Sequence, residues 1–294
     1  MRAIARRRDI QQPANSRHRT LSRQGGFAHC ADNGPMTDEH RSHPRDFVAS
    51  LEKGLKVLLC FERKHSKLNL SEVARLTDTT PATARRLLMT LQELDYLHSD
   101  GKRFWVAPRT LLLARPYLMS RPAPQLAQPV LDKLADRTRQ SASLGLLLDH
   151  EVLIIARSTG RRTLSTGLGI GSRLPAFCSA LGRAVLSTLP LEEIVRYLSA
   201  TPLDAYTPKT VRDLASATEQ VQHCRTYGWA ECNEELELGV RSIAVPITSV
   251  AGKTIAAVSL SVRAERMSMD AFRQMHLAAI QEARDALRAT INFD

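Results

Sequence analysis

The chain has 294 residues, 43% of them hydrophobic, which is enough for two globular domains with ordinary cores. Its formal net charge of +11 is unevenly spread. Residues 1–46 carry nine Arg against five acids, residues 47–120 carry twelve Lys or Arg against seven, and residues 121–294 carry twenty against eighteen. A basic first part joined to a nearly neutral remainder favours a nucleic-acid module attached to a second domain. A basic tail on a solvated surface is the alternative.

Five cysteines that form no C-x-x-C pair indicate a protein of the reducing cytoplasm rather than a disulfide framework. We expect no membrane span, because no apolar run approaches the roughly 20 residues that a spanning helix needs. We also expect no secretory signal, because no apolar segment lies near the start. Residues 1–46 are rich in Arg, Ser, His and Gly without an apolar period, which predicts disorder. Met36 is a possible second start site of the natural chain, and this is a hypothesis.

From Phe47 the pattern becomes helical. Asn69 and Glu72 stand three residues apart, as in a capping box at the start of a second helix. Thr80 before Pro81 is typical of the start of a third helix. The leucines that share one face of the first helix are Leu51, Leu55, Leu58 and Leu59. The residues predicted to form the buried stripe of the third helix are Ala84, Leu87, Leu88 and Leu91.

Two short β runs follow on either side of Asp100-Gly101, a strong hairpin-turn signal. Three helices and a hairpin in this order predict a winged helix-turn-helix, a mostly α domain, over residues 47–107. Its third helix begins with small residues that let the backbone approach a DNA groove. Arg85 and Arg86 lie off the leucine stripe and can bind a guanine edge or a phosphate.

We therefore predict DNA contacts from the third helix and from the hairpin tip. The predicted residues are Thr79, Thr80, Ala82, Thr83, Arg85, Arg86, Lys102 and Arg103. The alternatives are two arginines on an ordinary surface helix and, for Lys102 and Arg103, a solvated turn.

Residues 108–125 predict a linker helix that ends in prolines, and residues 126–294 mix helices and strands. Two strands join across a tight turn at His150, and a Gly-rich loop then leads into a helix. Two more helices, at 191–199 and 211–227, precede a strand pair around Ala251-Gly252-Lys253 and a closing amphipathic helix at about 269–291. This order predicts an α+β domain around one antiparallel sheet.

Three motifs together resemble the IclR family of bacterial transcription regulators from about Phe47 to the C terminus: LSEVARLTDTTPATARRLLMTLQELDYL, LPAFCSALGRAVLS and GVRSIAVPI. Three segments are most similar to the branch that regulates aromatic-acid breakdown through the β-ketoadipate pathway: SLEKGLKVLLCF, DGKRFWVAPRTLLLA and TLSTGLGIGSRLPAFCSALGR. The sequence departs from the family at Asp78 and Asp95, where glycine is usual, and at Ala82, which replaces a common serine. Asp tolerates the left-handed conformation that these turns need.

The resemblance implies a winged helix, a linker helix used in dimerisation, and a C-terminal GAF-like effector domain. It also implies a homodimer or a dimer of dimers on double-stranded operator DNA, controlled by a small organic acid.

The resemblance further places an acid pocket between the loop 169–179, the segment around Glu235 and the strand TIAAVSLSV. Two serines on that strand are two residues apart and so face one side, where their hydroxyls can hold a carboxylate. The predicted effector contacts are Ile170, Leu174, Phe177, Cys178, Glu235, Ser259 and Ser261.

Alternatives stay open for several of these contacts. The serines can face solvent from a half-exposed sheet, and Phe177 can belong to the core. Glu234 can take the role of Glu235, and Arg241 can bind a carboxylate or form an internal or dimer-interface salt bridge.

We expect no enzyme, cofactor or metal site. Cys178, beside a helix N-terminus that lowers a thiol pKa, is the strongest catalytic candidate, but no motif nominates the base that a nucleophile needs. No H-E-x-x-H, G-x-S-x-G or P-loop occurs, and no third ligand accompanies Cys224 and Cys232. The sequence predicts a cytoplasmic DNA-binding regulator of aromatic-acid or β-ketoadipate pathway genes. The alternative is a DNA-binding dimer whose C-terminal domain only oligomerises or senses an unrelated metabolite.

Overall fold

The computed structural model describes residues 46–61, 65–120, 123–160, 167–249 and 254–291. The expectations for residues 1–45, including the second start at Met36, and for the turn Ala251-Gly252-Lys253 lie outside the described residues. Of the helices that the structure describes, none carries an apolar stretch long enough to cross a membrane.

A winged helix forms the first folded part of the chain. Among its described residues, three short strands pair antiparallel in the order β1-β3-β2. Its elements are α1 (Ala49–Leu59), β1 (Leu68–Asn69), α2 (Leu70–Leu76), α3 (Pro81–Glu93), β2 (Leu97–Ser99) and β3 (Arg103–Val106).

The local signals in this part act as predicted. The side chain of Asn69 accepts from the backbone N–H of Glu72, and the Glu72 carboxylate accepts from the backbone N–H of Asn69, so the capping box of α2 is confirmed. Thr80 caps α3. Asp78 and Asp95 take left-handed backbone conformations, with φ of 48° and 59°. The predicted stripe of α3 is confirmed, since Ala84 and Leu88 are fully buried and Leu87 and Leu91 pack against their cluster.

The four leucines predicted to share one face of α1 do not all face the core. Val57 is the buried residue of α1, and Leu58 packs against the same core. Leu51, Leu55 and Leu59 point away from it and are 62%, 48% and 67% exposed. The helix therefore has two apolar sides, one in the core and one that the described residues leave exposed.

The rest of the chain is built around one sheet. Among the described residues, six strands pair antiparallel in the order β6-β5-β4-β9-β8-β7. A 3-10 turn (Pro108–Thr110) precedes α4 (Leu111–Ser120) and α5 (Ala123–Thr138). The remaining elements are β4 (Ser141–Leu148), β5 (Glu151–Ser158), β6 (Arg173–Pro175), α6 (Ala180–Leu186), α7 (Leu191–Ser199), α8 (Leu214–Tyr227), β7 (Ala230–Asn233), β8 (Val240–Thr248), β9 (Thr254–Arg263) and α9 (Met269–Thr290).

The two faces of the sheet carry different layers. On β9, Val258, Leu260 and Val262 join the core formed with α5 and α9. Ser259 and Ser261 alternate with them and face the side on which α6 packs. The α+β architecture predicted from the sequence is thus confirmed, with a mainly apolar layer on one face and a partly polar layer on the other.

Helix α6 approaches the segment before it unusually closely. A Cβ added at Gly182 would lie 2.2 Å from the backbone of Ala176, which no real side chain tolerates. The glycine therefore lets α6 sit against the segment 176–178, and this contact sets the position of one side of the candidate site described below.

We predict a pH-dependent contribution to stability from His276 on α9. The ring is buried and packs edge-on against Phe272 at 5.4 Å, and within the described ranges its Nε2 has no hydrogen-bond partner. Burial lowers the pKa of His276. The unfolded chain therefore takes up a proton more readily, so the free energy of unfolding decreases as the pH falls below about 6.5, by at most about 1.4 kcal/mol per pH unit.

The test is urea denaturation followed by tryptophan fluorescence between pH 7.5 and 5.5. His276→Leu should lose stability with falling pH less steeply than the wild type, whereas His98→Leu, at an exposed position on β2, should keep the wild-type slope. Equal slopes for the wild type and His276→Leu would contradict the assignment.

Candidate functional site

The solvent face of α3 presents two cations. Ala82, Arg85 and Arg86 are exposed, and no side chain in the described ranges pairs with either guanidinium. Thr80 Oγ1 donates to Thr83 Oγ1 at 2.9 Å, while the Thr80 side chain also accepts from the Thr83 N–H. The hydroxyls thus fix the first turn of the helix and leave the arginines available to an anionic partner.

The hairpin between β2 and β3 forms a fixed turn. Asp100 Oδ1 accepts from the N–H groups of Lys102 and Arg103 at 3.0 and 2.8 Å, and Gly101 takes a φ of 90°. These backbone hydrogen bonds lower the pKa of the Asp100 carboxyl. Lys102 and Arg103 are exposed at the tip, which suits contacts with a phosphate backbone.

A cavity lies on the α6 side of the sheet, and the space between its walls, open solvent included, is about 540 Å³. We call it the serine cavity, because five serines line it. Its polar lining is Ser143, Arg157, Ser179, Cys232, Glu237, Ser242, Ser259 and Ser261. Its apolar lining is Ile154, Leu168, Leu174, Ala180, Leu181, Leu236 and Val240.

The strand register lines up the polar residues of the cavity floor. Arg157 on β5 pairs with Ser143 on β4, which pairs with Ser259 on β9. Two residues further along β9, Ser261 pairs with Ser242 on β8. Directly paired residues of antiparallel strands share a face, so these side chains form two adjacent polar rows.

Arg157 reaches the cavity through a β-bulge. The pairing of β4 with β5 shifts between Leu144 and Gly145, so that Ile154 and Arg157, three residues apart, share one face. Regular alternation would have turned Arg157 toward the opposite face. Sequence reasoning missed Arg157 for this reason, since no local motif marks the bulge.

The guanidinium of Arg157 is partly desolvated. Its Nη1 donates to Ser143 Oγ at 2.6 Å, and burial lowers its pKa. Arginine nevertheless keeps its charge at neutral pH, so the cavity floor carries a positive charge beside several hydroxyl groups. That combination suits a carboxylate, which accepts charge-assisted hydrogen bonds.

Three of the predicted effector residues line the serine cavity, namely Leu174, Ser259 and Ser261. Ile170 is 63% exposed and does not line it. Phe177 and Cys178 are packed within the apolar cluster beneath α6 and also do not line it.

The seventh predicted residue, Glu235, forms a buried ion pair with Arg183 of α6. Arg183 Nη1 and Nη2 donate to the two carboxylate oxygens at 2.7 and 2.6 Å. The same guanidinium donates to the carbonyls of Phe177 and Glu231, at 3.1 and 2.8 Å. The carboxylate of Glu235 is thus bound by Arg183 inside the protein, and the next residue, Leu236, lines the cavity.

Glu234 and Arg241, the two alternative ligand contacts near Glu235, form ion pairs with other side chains of the chain. Glu234 binds Lys209 at 2.6 Å, and this contact lowers the pKa of the Glu234 carboxyl. Arg241 lies 3.6 Å from Glu234 and donates to Asn233 Oδ1 at 2.8 Å. Arg241 therefore forms the internal salt bridge that was one of its two alternatives.

The expectation of an activated thiol at Cys178 is wrong. Its side chain is fully buried, and burial raises the pKa of the thiol, with Cys232 adding to the effect. Desolvation of the thiolate outweighs any help from the start of α6, a helix of only seven residues. A buried, protonated thiol is inert rather than nucleophilic.

We predict that native thiol labelling spares the buried cysteines. Burial also raises the pKa of Cys224, to about 11, and Cys232 is buried as well, whereas Cys60 is half-buried. With iodoacetamide at pH 8, peptide mass spectrometry should find Cys178, Cys224 and Cys232 alkylated at least about tenfold more slowly than Cys60. In guanidinium chloride the difference should vanish. Native labelling of Cys178 as fast as Cys60 would restore its candidacy as a nucleophile.

Both folded parts of the chain match known families. The family model described as the IclR helix-turn-helix domain matches residues 50–101. The model described as the bacterial transcriptional regulator IclR C-terminal domain matches residues 116–289, which is more than half of the chain.

Individual proteins similar to the chain agree with these matches. The Pca regulon regulatory protein of Pseudomonas putida is 36% identical over 81% of this chain and 82% of its own length. A solved structure from Rhodococcus sp. RHA1, described as a candidate transcriptional regulator, is 35% identical, with a TM-score of 0.71, and covers 83% of this chain and 98% of its own. A double mutant of the PobR inducer-binding domain from Acinetobacter, solved in complex with 3-hydroxybenzoic acid, is 31% identical, with a TM-score of 0.53, over 56% of this chain and 97% of its own.

Proposed function

This chain belongs to the IclR family of bacterial transcriptional regulators, and we propose that it binds operator DNA through its winged helix and senses an aromatic carboxylic acid in the serine cavity. Membership of this family makes it a regulator rather than an enzyme. The observation that carries the proposal is the row Arg157–Ser143–Ser259 on the floor of an otherwise leucine-rich cavity.

The DNA contact follows from exposure and charge. Arg85 and Arg86 face solvent on α3, and Lys102 and Arg103 project from the hairpin tip. In this arrangement α3 enters the major groove, where an arginine can bind a guanine edge, while the hairpin lies over phosphates. Thr79, Thr80, Ala82 and Thr83 would then lie against the groove at the start of the helix.

A second copy of the chain would cover the uncovered leucines. These leucines belong to α1, the first helix of the winged helix, and to α4, the linker helix that follows it. Burial of large apolar side chains is the main driving force of stable association. A homodimer, or a dimer of dimers, on DNA in the bacterial cytoplasm would use these helices. The exposed leucines are Leu51, Leu55, Leu59, Leu111, Leu112 and Leu113.

The cavity supports an acid of aromatic type. Arg157 and Ser143 would hold the carboxylate, and the apolar walls, Leu168, Leu174 and Leu181 among them, would enclose a ring. The complex of the PobR domain with 3-hydroxybenzoic acid supports the same ligand class. The target genes would then belong to aromatic-acid or β-ketoadipate breakdown.

We predict that Arg86→Ala weakens binding to the DNA upstream of this protein's own gene by about 5- to 150-fold at moderate salt, because a bidentate arginine–guanine contact contributes about 1–3 kcal/mol. Fluorescence anisotropy over a salt series measures it, with scrambled DNA as comparison. If Arg86 binds only a phosphate, both DNAs lose affinity equally and the salt slope falls by about one. Arg196→Ala, at an exposed position on α7, is the matched control and should behave as wild type. Wild-type binding by Arg86→Ala would remove α3 from the interface.

We predict that Arg157→Met lowers the affinity for 3-hydroxybenzoate or 4-hydroxybenzoate at least about tenfold, since a hydrogen bond to a charged group contributes about 1.5–3 kcal/mol. Isothermal titration calorimetry measures it, with Arg196→Met as the control that keeps wild-type affinity. Binding to DNA without acid should be unchanged, because Arg157 lies on β5, outside the winged helix.

The alternative function is that of a DNA-binding protein of the same fold that has no aromatic effector. In that case the C-terminal domain only oligomerises or senses an unrelated metabolite, and no aromatic acid would bind or alter the affinity for the upstream DNA. If the protein prefers the upstream DNA over scrambled DNA, and one acid changes that preference, the result supports an acid-controlled regulator. Equal, steeply salt-dependent binding to upstream and scrambled DNA, unaffected by any acid, would leave a basic DNA-binding dimer.

A further inference from the structure

We infer that the serine cavity selects aromatic acids that carry a hydroxyl group opposite the carboxylate and rejects dicarboxylic acids. The residue that selects is Glu237, an exposed residue that lines the cavity. The inference rests on the proposed function and deepens it, since it names the class of acid.

The cavity has ends of opposite charge. Arg157 is on β5, whereas Glu237 lies in the connection that leads from β7 into β8. In the sheet, β4 and β9 lie between β5 and β8. At the usual strand spacing, β5 and β8 are therefore about 14 Å apart. The serine rows occupy the floor between the two ends, and leucines form much of the wall.

Glu237 differs from the other acids in its segment. Glu231, Glu234 and Glu235 are each ion-paired with an Arg or Lys at 2.6–2.8 Å. Within the described ranges, no side chain hydrogen-bonds to or ion-pairs with the carboxylate of Glu237. Three acids of ECNEELE therefore serve the fold, while the fourth faces the cavity.

A carboxylate at this end distinguishes between ligands by charge. A ligand hydroxyl can donate to it in a charge-assisted hydrogen bond, which is about twice as strong as a neutral one. A second ligand carboxylate would meet a like charge there, which disfavours binding. A site that hydrogen-bonds a ligand hydroxyl also discriminates against the analogue that lacks it, because its own polar group is then left without a partner.

The test measures the affinity of the full chain for 4-hydroxybenzoate, benzoate and terephthalate by calorimetry at pH 7.5. These probes carry, opposite the carboxylate, a hydroxyl, a hydrogen and a second carboxylate. The wild type should bind 4-hydroxybenzoate about tenfold or more tightly than either of the others. Glu237→Gln should reduce the preference for 4-hydroxybenzoate over terephthalate at least about tenfold and leave benzoate within about twofold. Glu193→Gln, at an exposed position on α7, is the matched control and should preserve all three affinities.

The outcomes separate this inference from the proposed function. Equal binding of 4-hydroxybenzoate and terephthalate by the wild type, or an unchanged ratio in Glu237→Gln, overturns the selection by Glu237 while the cavity remains an acid site. Failure of all three acids to bind the wild type overturns the proposed effector class and this inference with it.

Discussion

Arg183 and Glu235 form a buried ion pair that ties α6 to the connection between β7 and β8. Arg183 is only 1% exposed, and its remaining donors bind carbonyls of the segments that flank the pair. Removing either partner of such a pair leaves a buried charge without compensation and costs about 3–5 kcal/mol. That is a large part of the roughly 5–15 kcal/mol by which a domain is stable. Both sides of the pair carry cavity residues, Leu181 on α6 and Leu236 on the connection, so the ion pair fixes the distance between two walls of the serine cavity.

The six-stranded sheet adds the second constraint, because each of its faces packs against a different layer of helices. One face is mainly apolar and is covered by α5 and α9. The other face carries Arg157 and the serines under α6, where Gly182 permits the close approach of the helix. An acid bound by these groups would stabilise the folded state over the unfolded chain, and this would tie ligand binding to the stability of the domain.

Local signals sufficed for much of the fold. The capping box of α2, the cap of α3 and the hairpin at Asp100-Gly101 depend on neighbours in sequence, as do the β4–β5 and β8–β9 pairs of the main sheet, and each was predictable. The pairing of β4 with β9 joins segments far apart in sequence and was not predicted. The exposed side of α1 was not predictable, since spacing alone does not tell a core face from an exposed face. The edge strands β6 and β7 are three and four residues long and carry too little pattern. The roles of Arg157 and Glu235 depend on a bulge and on a partner 52 residues away, and neither feature leaves a mark in the local sequence.

In the proposed function, the linker connects the cavity to the winged helix, and the linker is tied to the turn after α3. The N–H of Ala107 and the hydroxyl of Thr110 both donate to the carbonyl of Tyr96, at 2.9 and 3.2 Å. Arg109 adds an ion pair with Asp95 at 3.3 Å, but both side chains are largely exposed, and such pairs contribute only about 0–1 kcal/mol. The hydrogen bonds to the Tyr96 carbonyl therefore carry most of the attachment, and linker and winged helix should move as one body. An effector can shift an equilibrium only through its differential affinity for the two states. We infer that those states differ in the spacing of two intact winged helices in a dimer, rather than in the shape of α3 itself.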